Sequence, residues 1–222
     1  MSLNKLKLHK FKSSVLAQQC ERIGEQILNY QKYIDPMGHI ATNKGGWQSR
    51  FNMSYGESTF PFYEPWSNYL FELLNRFYVD YVEKFYNKEI MHKAFMGNQR
   101  WCSRAWFNIN WPEDHNGEHH HLPNGDDADE FSYIPPEIKN DREVWLPMAS
   151  GSFYVTDSHN TFFVSKSSTV EVVEEKERKY IDFNAGDFWI GDPGMIHGVG
   201  VNKQNVPRIT ISFNIEPAAY FQ

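Results

Sequence analysis

A chain of 222 residues with a formal net charge of −6 is long enough to bury one substantial core. It offers too little positive potential, and no dense run of Lys and Arg, to attract a phosphate backbone, which excludes nucleic acid as a direct partner. No window approaches the roughly 18 apolar residues of a bilayer crossing, the start Met1-Ser-Leu-Asn-Lys5 lacks a secretion signal's apolar centre, and two cysteines, Cys20 and Cys102, are too few for a disulfide framework or a cysteine-rich zinc site. A cytoplasmic protein with no membrane partner is therefore expected, its core or pocket built on large flat side chains since 16% of residues are aromatic.

Leu16, Cys20, Ile23 and Ile27 recur at fours and threes, which predicts a helix from about Ser14 to Tyr33 with one apolar face. Asn43-Lys-Gly-Gly-Trp-Gln-Ser49 has the glycines of a turn or loop, and its tryptophan is either buried or lines a cleft. Trp66, Leu70, Leu73, Phe77, Tyr81 and Phe85 predict a second helix, from about Glu64 to Asn87. After residue 93 the period becomes alternating: Ala105, Phe107, Ile109 and Trp111 share one face of a strand, and Arg104, Trp106, Asn108 and Asn110 the other. Further strands are expected at Gly151 to Thr156, Thr161 to Ser165, Thr169 to Glu174, Tyr180 to Phe183, Asp187 to Ile190 and Arg208 to Ile215.

Many short strands after two helices predict a mainly β fold, a sandwich or barrel with N-terminal helices packed outside. Residues 1–222 read as one domain, with a helical buttress over 1–92 and the β core over 93–222. Residues 122–149 break the strand pattern with Asp126, Asp127, Asp129, Glu130 and Pro135-Pro136, and they read as a long loop.

Three consecutive imidazoles, His119, His120 and His121, cannot all reach one metal from an extended chain, because successive side chains point to opposite faces. Either His119 and His121 act together, or Glu118 and His120 do. With the distant His197, the first choice gives three imidazoles and the second the two-histidine, one-carboxylate set that suits non-haem iron(II). Parity leaves both open. Downstream, Ile209, Ile211, Phe213 and Ile215 form one apolar face, and Arg208, Thr210, Ser212 and Asn214 form a polar face able to line a cavity. A turn over Val201 to Pro207 is expected to set His197 and Arg208 on adjacent antiparallel strands. The Arg208 guanidinium suits a carboxylate, with the Thr210 hydroxyl beside it.

The ordered set Gly45-Gly-Trp-Gln-Ser49, Trp106-Phe-Asn-Ile-Asn110, Asn116 with His119-His-His121, Ser150-Gly-Ser-Phe-Tyr-Val155, His197-Gly-Val199 and Arg208-Ile-Thr-Ile-Ser-Phe-Asn214 resembles the iron(II)- and 2-oxoglutarate-dependent oxygenases. The resemblance implies a double-stranded β-helix (jelly-roll, cupin-like) core. It also implies Fe(II) held by His119, His121 and His197, and 2-oxoglutarate held by Arg208, Thr210 and Asn108. The activity implied is oxidative decarboxylation of the keto acid, coupled to hydroxylation of a small-molecule or peptide substrate. Trp106 and Asn214 are expected to line the cavity if the polar faces of their strands point inward, with a place in the core the equal alternative for Trp106. The chain departs from the broad family in having His119-x-His121 where His-x-Asp or His-x-Glu is usual, and in the length of 122–149. Two other readings fit the residues: a three-histidine cupin-type dioxygenase that uses no keto acid, and a barrel that binds without catalysing.

Overall fold

A computed structural model of the chain describes residues 7–39, 43–50, 53–54, 65–85, 101–121, 149–165 and 177–217. The expected strand at Thr169 to Glu174 lies outside these residues, as does all but the last residue of the 122–149 loop.

The first predicted helix forms in two pieces, α1 (Ser14–Ala17) and α2 (Cys20–Tyr33). Ser13 caps α1 by accepting from the Leu16 N–H. The Gln19 N–H then bonds back to Leu16 O at 2.9 Å, a three-residue closure that tightens the chain and ends the first piece. Leu16, Cys20, Ile23 and Ile27 remain buried on one side, because the four-residue step across the break preserves their face. The second predicted helix is α3 (Pro65–Phe85), with Trp66, Leu70, Leu73 and Tyr81 buried.

Among the described residues, twelve strands join three helices. Ahead of α3 lie β1 (His9–Lys12), β2 (Asn43–Lys44), β3 (Trp47–Gln48) and β4 (Met53–Ser54), so the N-terminal segment supplies strands as well as helices. The remainder are β5 (Trp101–Asn110), β6 (His115–His119), β7 (Ala149–Tyr154), β8 (Ser158–Ser165), β9 (Glu177–Phe183), β10 (Asp187–Gly191), β11 (His197–Val199) and β12 (Arg208–Pro217). They form a seven-stranded sheet in the order β1-β10-β7-β12-β5-β3, with β4 also on β5, and a five-stranded sheet in the order β2-β6-β11-β8-β9.

The outer face of the larger sheet carries Phe107, Ile109, Phe153, Phe188, Ile211 and Phe213, which pack against Leu16, Ile23, Ile27, Trp66 and Leu70 of the helices in one apolar cluster. Period-2 alternation on β12 thereby sends isoleucines and Phe213 to the helices and leaves Arg208, Thr210, Ser212 and Asn214 on the opposite face. Trp47 joins the core, with its Nε1–H donating to Asp35 O at 2.8 Å. Trp111, expected on the apolar face of β5, falls beyond the strand end and is exposed. A second cluster of Leu8, Tyr154, Phe163, Phe183, Trp189 and Met195 closes one part of the molecule away from the helices.

Candidate metal and carboxylate site

His197 and Arg208 do not lie on adjacent strands, contrary to the sequence expectation. His197 opens β11, paired with β6 and β8 of the smaller sheet, and Arg208 opens β12, paired with β5 of the larger one. The segment between them passes from one sheet to the other, so both side chains reach a single cavity of about 190 Å³.

The His197↔His119 register of β11 and β6 sets two imidazoles side by side. Two residues on, the chain is held by the His121 N–H donating to Pro193 O at 2.7 Å, which returns a third ring to the same side. One nitrogen from each of His119, His121 and His197 lies within 4.8 Å of the others. Glu118 points elsewhere: its carboxylate accepts from Arg178 Nη2 at 2.6 Å and Nε at 2.9 Å. Of the two parity choices, the chain converges the three-imidazole set, and His120 is left exposed at the cavity rim.

Hydrogen bonds behind the rings fix which nitrogen faces inward. His119 Nδ1 lies 2.9 Å from Gly117 O, His197 Nδ1 lies 2.9 Å from Met195 O, and His121 Nδ1 lies 2.8 Å from Asn214 Oδ1. Each partner is an acceptor, so each Nδ1 carries the proton and each Nε2 presents a lone pair. His121 Nε2 and His197 Nε2 are nevertheless only 3.3 Å apart, two lone pairs facing each other with no proton to share.

Protonation offers little relief. Burial pushes all three pKa values down, His119 below its ordinary value, His121 to about 4 and His197 well below the usual range, with neighbouring imidazoles adding to the effect: His120 on all three, His119 on His121 and His197, and His121 on His197. The group that fits three converging neutral nitrogens is a metal cation. Two nitrogens each about 2.1 Å from one ion, at an angle of about 100°, would stand about 3.2 Å apart, close to the His121 and His197 spacing. Trp106 stacks on His121 with ring centroids 5.6 Å apart, which restricts the ring's rotation. Trp106 thus serves as cavity wall rather than core.

Arg208, only 2% exposed, forms no ion pair with a carboxylate among the described residues. Its Nη1 donates to Asn160 Oδ1 at 2.9 Å and Gly200 O at 3.0 Å, and its Nη2 to Asn110 Oδ1 at 3.2 Å. Nε–H is buried with no partner. A guanidinium has five N–H donors, and three are taken by these oxygens, which leaves Nε–H and one hydrogen on Nη2 for a carboxylate. Burial lowers Arg208 to about 10, which still leaves it cationic at neutral pH.

Thr210 and Asn108 line the same cavity, and Asn108 Nδ2 donates to Ser212 Oγ at 3.0 Å and reaches Thr210 Oγ1 at 3.5 Å. Asn108 therefore orders the hydroxyl row as well as facing the pocket. Asn160 and Gly200 escaped sequence reasoning, since one asparagine in Ser158-His-Asn-Thr161 carries no pattern. Asn110 was on the predicted polar face, but its link to Arg208 was legible only once β5 and β12 were paired.

No protein-family model matches the sequence, and no curated protein does. Solved structures do resemble the fold. A Pseudomonas putida prolyl-4-hydroxylase aligns with a TM-score of 0.59 at 8% identity, over 96% of this chain and 94% of that one. A 2OG-Fe(II) oxygenase family oxidoreductase from Burkholderia pseudomallei aligns with a TM-score of 0.51 at 12% identity, over 96% and 86%. HygX from Streptomyces hygroscopicus, whose structure holds nickel and 2-oxoglutarate, aligns with a TM-score of 0.52 at 9% identity, over 97% and 84%. The fold is thus the double-stranded β-helix of these proteins, mainly β with few helices, as the sequence predicted.

Proposed function

We propose that this protein is an iron(II)- and 2-oxoglutarate-dependent oxygenase acting on a small molecule or a peptide side chain. The observation that carries the reading is a buried guanidinium, bonded to no carboxylate among the described residues, in the same cavity as three converging lone pairs. A buried cation with no bonded anion is costly, and a keto acid with a second carboxylate would supply that anion.

Iron(II), when bound, supplies the oxidising chemistry, in which dioxygen and 2-oxoglutarate yield succinate, carbon dioxide and a hydroxylated product. The chain's own residues do the rest. His119, His121 and His197 would hold the ion through Nε2, and Gly117, Asn214 and Met195 keep those rings in the required tautomer. Arg208, with Thr210 alongside, receives the far carboxylate, and Asn108 keeps the polar wall in place. Trp106 shields one side of the His121 ring.

The all-histidine set is also what a dioxygenase needing no keto acid would use, but that reading leaves Arg208 without an anion. Protein purified without chelators, loaded with iron(II) and titrated anaerobically with 2-oxoglutarate, separates the two. We expect saturable binding, weakened about a hundredfold or more in Arg208→Ala, as for other buried charge pairs that lose one partner. Succinate should then form when oxygen is admitted. Unchanged keto-acid affinity in the variant would dismiss Arg208 from this role, and absence of any keto-acid binding would favour the direct dioxygenase.

A further inference from the structure

Three neutral groups surround Arg208 where a carboxylate would ordinarily be found, and two of them are locked from behind. Asn160 Nδ2 donates to Val201 O at 2.6 Å, which leaves its Oδ1 as the end that faces Arg208 Nη1. Asn110 Nδ2 donates to Asn116 Oδ1 at 2.8 Å, which turns its Oδ1 toward Arg208 Nη2. The chain also crowds Asn110 into position: a Cβ at Gly46 would lie 2.5 Å from its Nδ2 and 2.7 Å from Ile109 O, so only glycine permits this approach. The two amides come from different sheets, Asn160 from β8 and Asn110 from β5.

We infer that Asn160 and Asn110 are positioning residues that aim Arg208 without neutralising it, making the cavity selective for a ligand that brings its own carboxylate. The inference deepens the oxygenase reading and rests on it. Amide oxygens satisfy three of the guanidinium's donors together with Gly200 O, yet carry no net charge. The cation's field is therefore spent on the ligand. An aspartate in either place would give up the rear Nδ2 bond, as alanine also does, but would keep an oxygen facing Arg208 and place a negative charge there, so a ligand carboxylate arriving at the same guanidinium would meet a like charge at close range in a poorly screened cavity.

The test compares wild type with Asn160→Asp, Asn160→Ala and Asn110→Asp, each loaded with cobalt(II) so that no turnover occurs. Two ligands are titrated: 2-oxoglutarate, and the same keto acid with its distal carboxylate converted to an amide. Wild type should prefer the acid strongly. Asn160→Asp should weaken acid binding about a hundredfold and erase most of that preference, and Asn110→Asp should do the same should one of the two fail to fold. Asn160→Ala should cost under about tenfold and keep the preference. A purely packing role would make alanine at least as damaging as aspartate and leave the acid-to-amide ratio unmoved, and either outcome overturns the inference. Wild type that binds cobalt but neither ligand overturns the oxygenase reading itself, whereas equal acid preference in all four proteins overturns only the asparagine assignment.

Discussion

Each imidazole of the triad is specified by what its rear nitrogen touches. Asn214 Oδ1, 2.8 Å from His121 Nδ1, is the only side-chain partner among the three; Gly117 and Met195 use backbone carbonyls that no substitution removes. Asn214→Leu should therefore weaken metal binding about ten- to a hundredfold, as is usual when a hydrogen bond behind a ligand is lost. The other two rings should remain in place. Equilibrium competition against a chromophoric chelator measures the change. Metal affinity equal to wild type would mean that Trp106 stacking alone holds the ring. His197→Ala is the harsher variant, and its iron content after chelator-free purification should fall to background.

At the scale of single elements, β12 is the strand on which the molecule turns. It is flanked by β5 and β7 in register along most of its length, so its outward side chains sit at the centre of the apolar cluster. Its inward side chains furnish Arg208, Thr210, Ser212 and Asn214. Phe213 is fully buried against that cluster. Phe213→Ala should destabilise the fold by about 3–5 kcal/mol, the usual range for an emptied aromatic site, measured as a lowered urea midpoint. Because Phe213 lies on the helix side of the sheet, the fraction still folded should keep wild-type metal affinity. A large loss of metal binding in folded protein would show that the two faces of β12 are not mechanically separate.

At the scale of the whole molecule, charge decides two behaviours. The buried imidazoles have pKa values depressed below 6.5, His121 to about 4. The unfolded chain therefore takes up these protons first as pH falls. Stability is fully present above pH 6.5 and is lost on acidification toward pH 4, at up to about 1.4 kcal/mol per pH unit for each such group. Urea unfolding of metal-free protein at pH 7.5, 6 and 5 should show a falling midpoint, flattened in a His121→Leu, His197→Leu double variant. Identical slopes in the two proteins would rule the triad out as the source.

The second behaviour is coupling between metal and keto acid. No Asp or Glu is among the described residues lining the cavity, so a divalent ion adds to the charge of Arg208 with nothing in the wall to offset it. A dianion supplies the offset. Each ligand should thus tighten the other by the same factor, at least about tenfold, since coupling is reciprocal. Cobalt(II) affinity measured with and without saturating 2-oxoglutarate checks this, and independence of the two would mean that solvent already screens the site.

The sequence alone determined the elements and their faces. Apolar periodicity is a direct record of burial, and so the stripes of α2 and α3, the alternation of β5 and β12 and the inward set of Arg208, Thr210 and Asn214 were all legible from spacing. So was the division of His119 and His121 from His120, because alternation follows from local backbone geometry. What only the tertiary structure decided are the relations between distant segments. The placing of His197 and Arg208 on opposite sheets, the choice of the three imidazoles over the Glu118 set, and the turning of Asn160 and Asn110 toward Arg208 depend on strand pairing and register across separations of up to about a hundred residues. Hydrogen bonds formed between segments so far apart leave no local period in the chain, and only folding brings them into view.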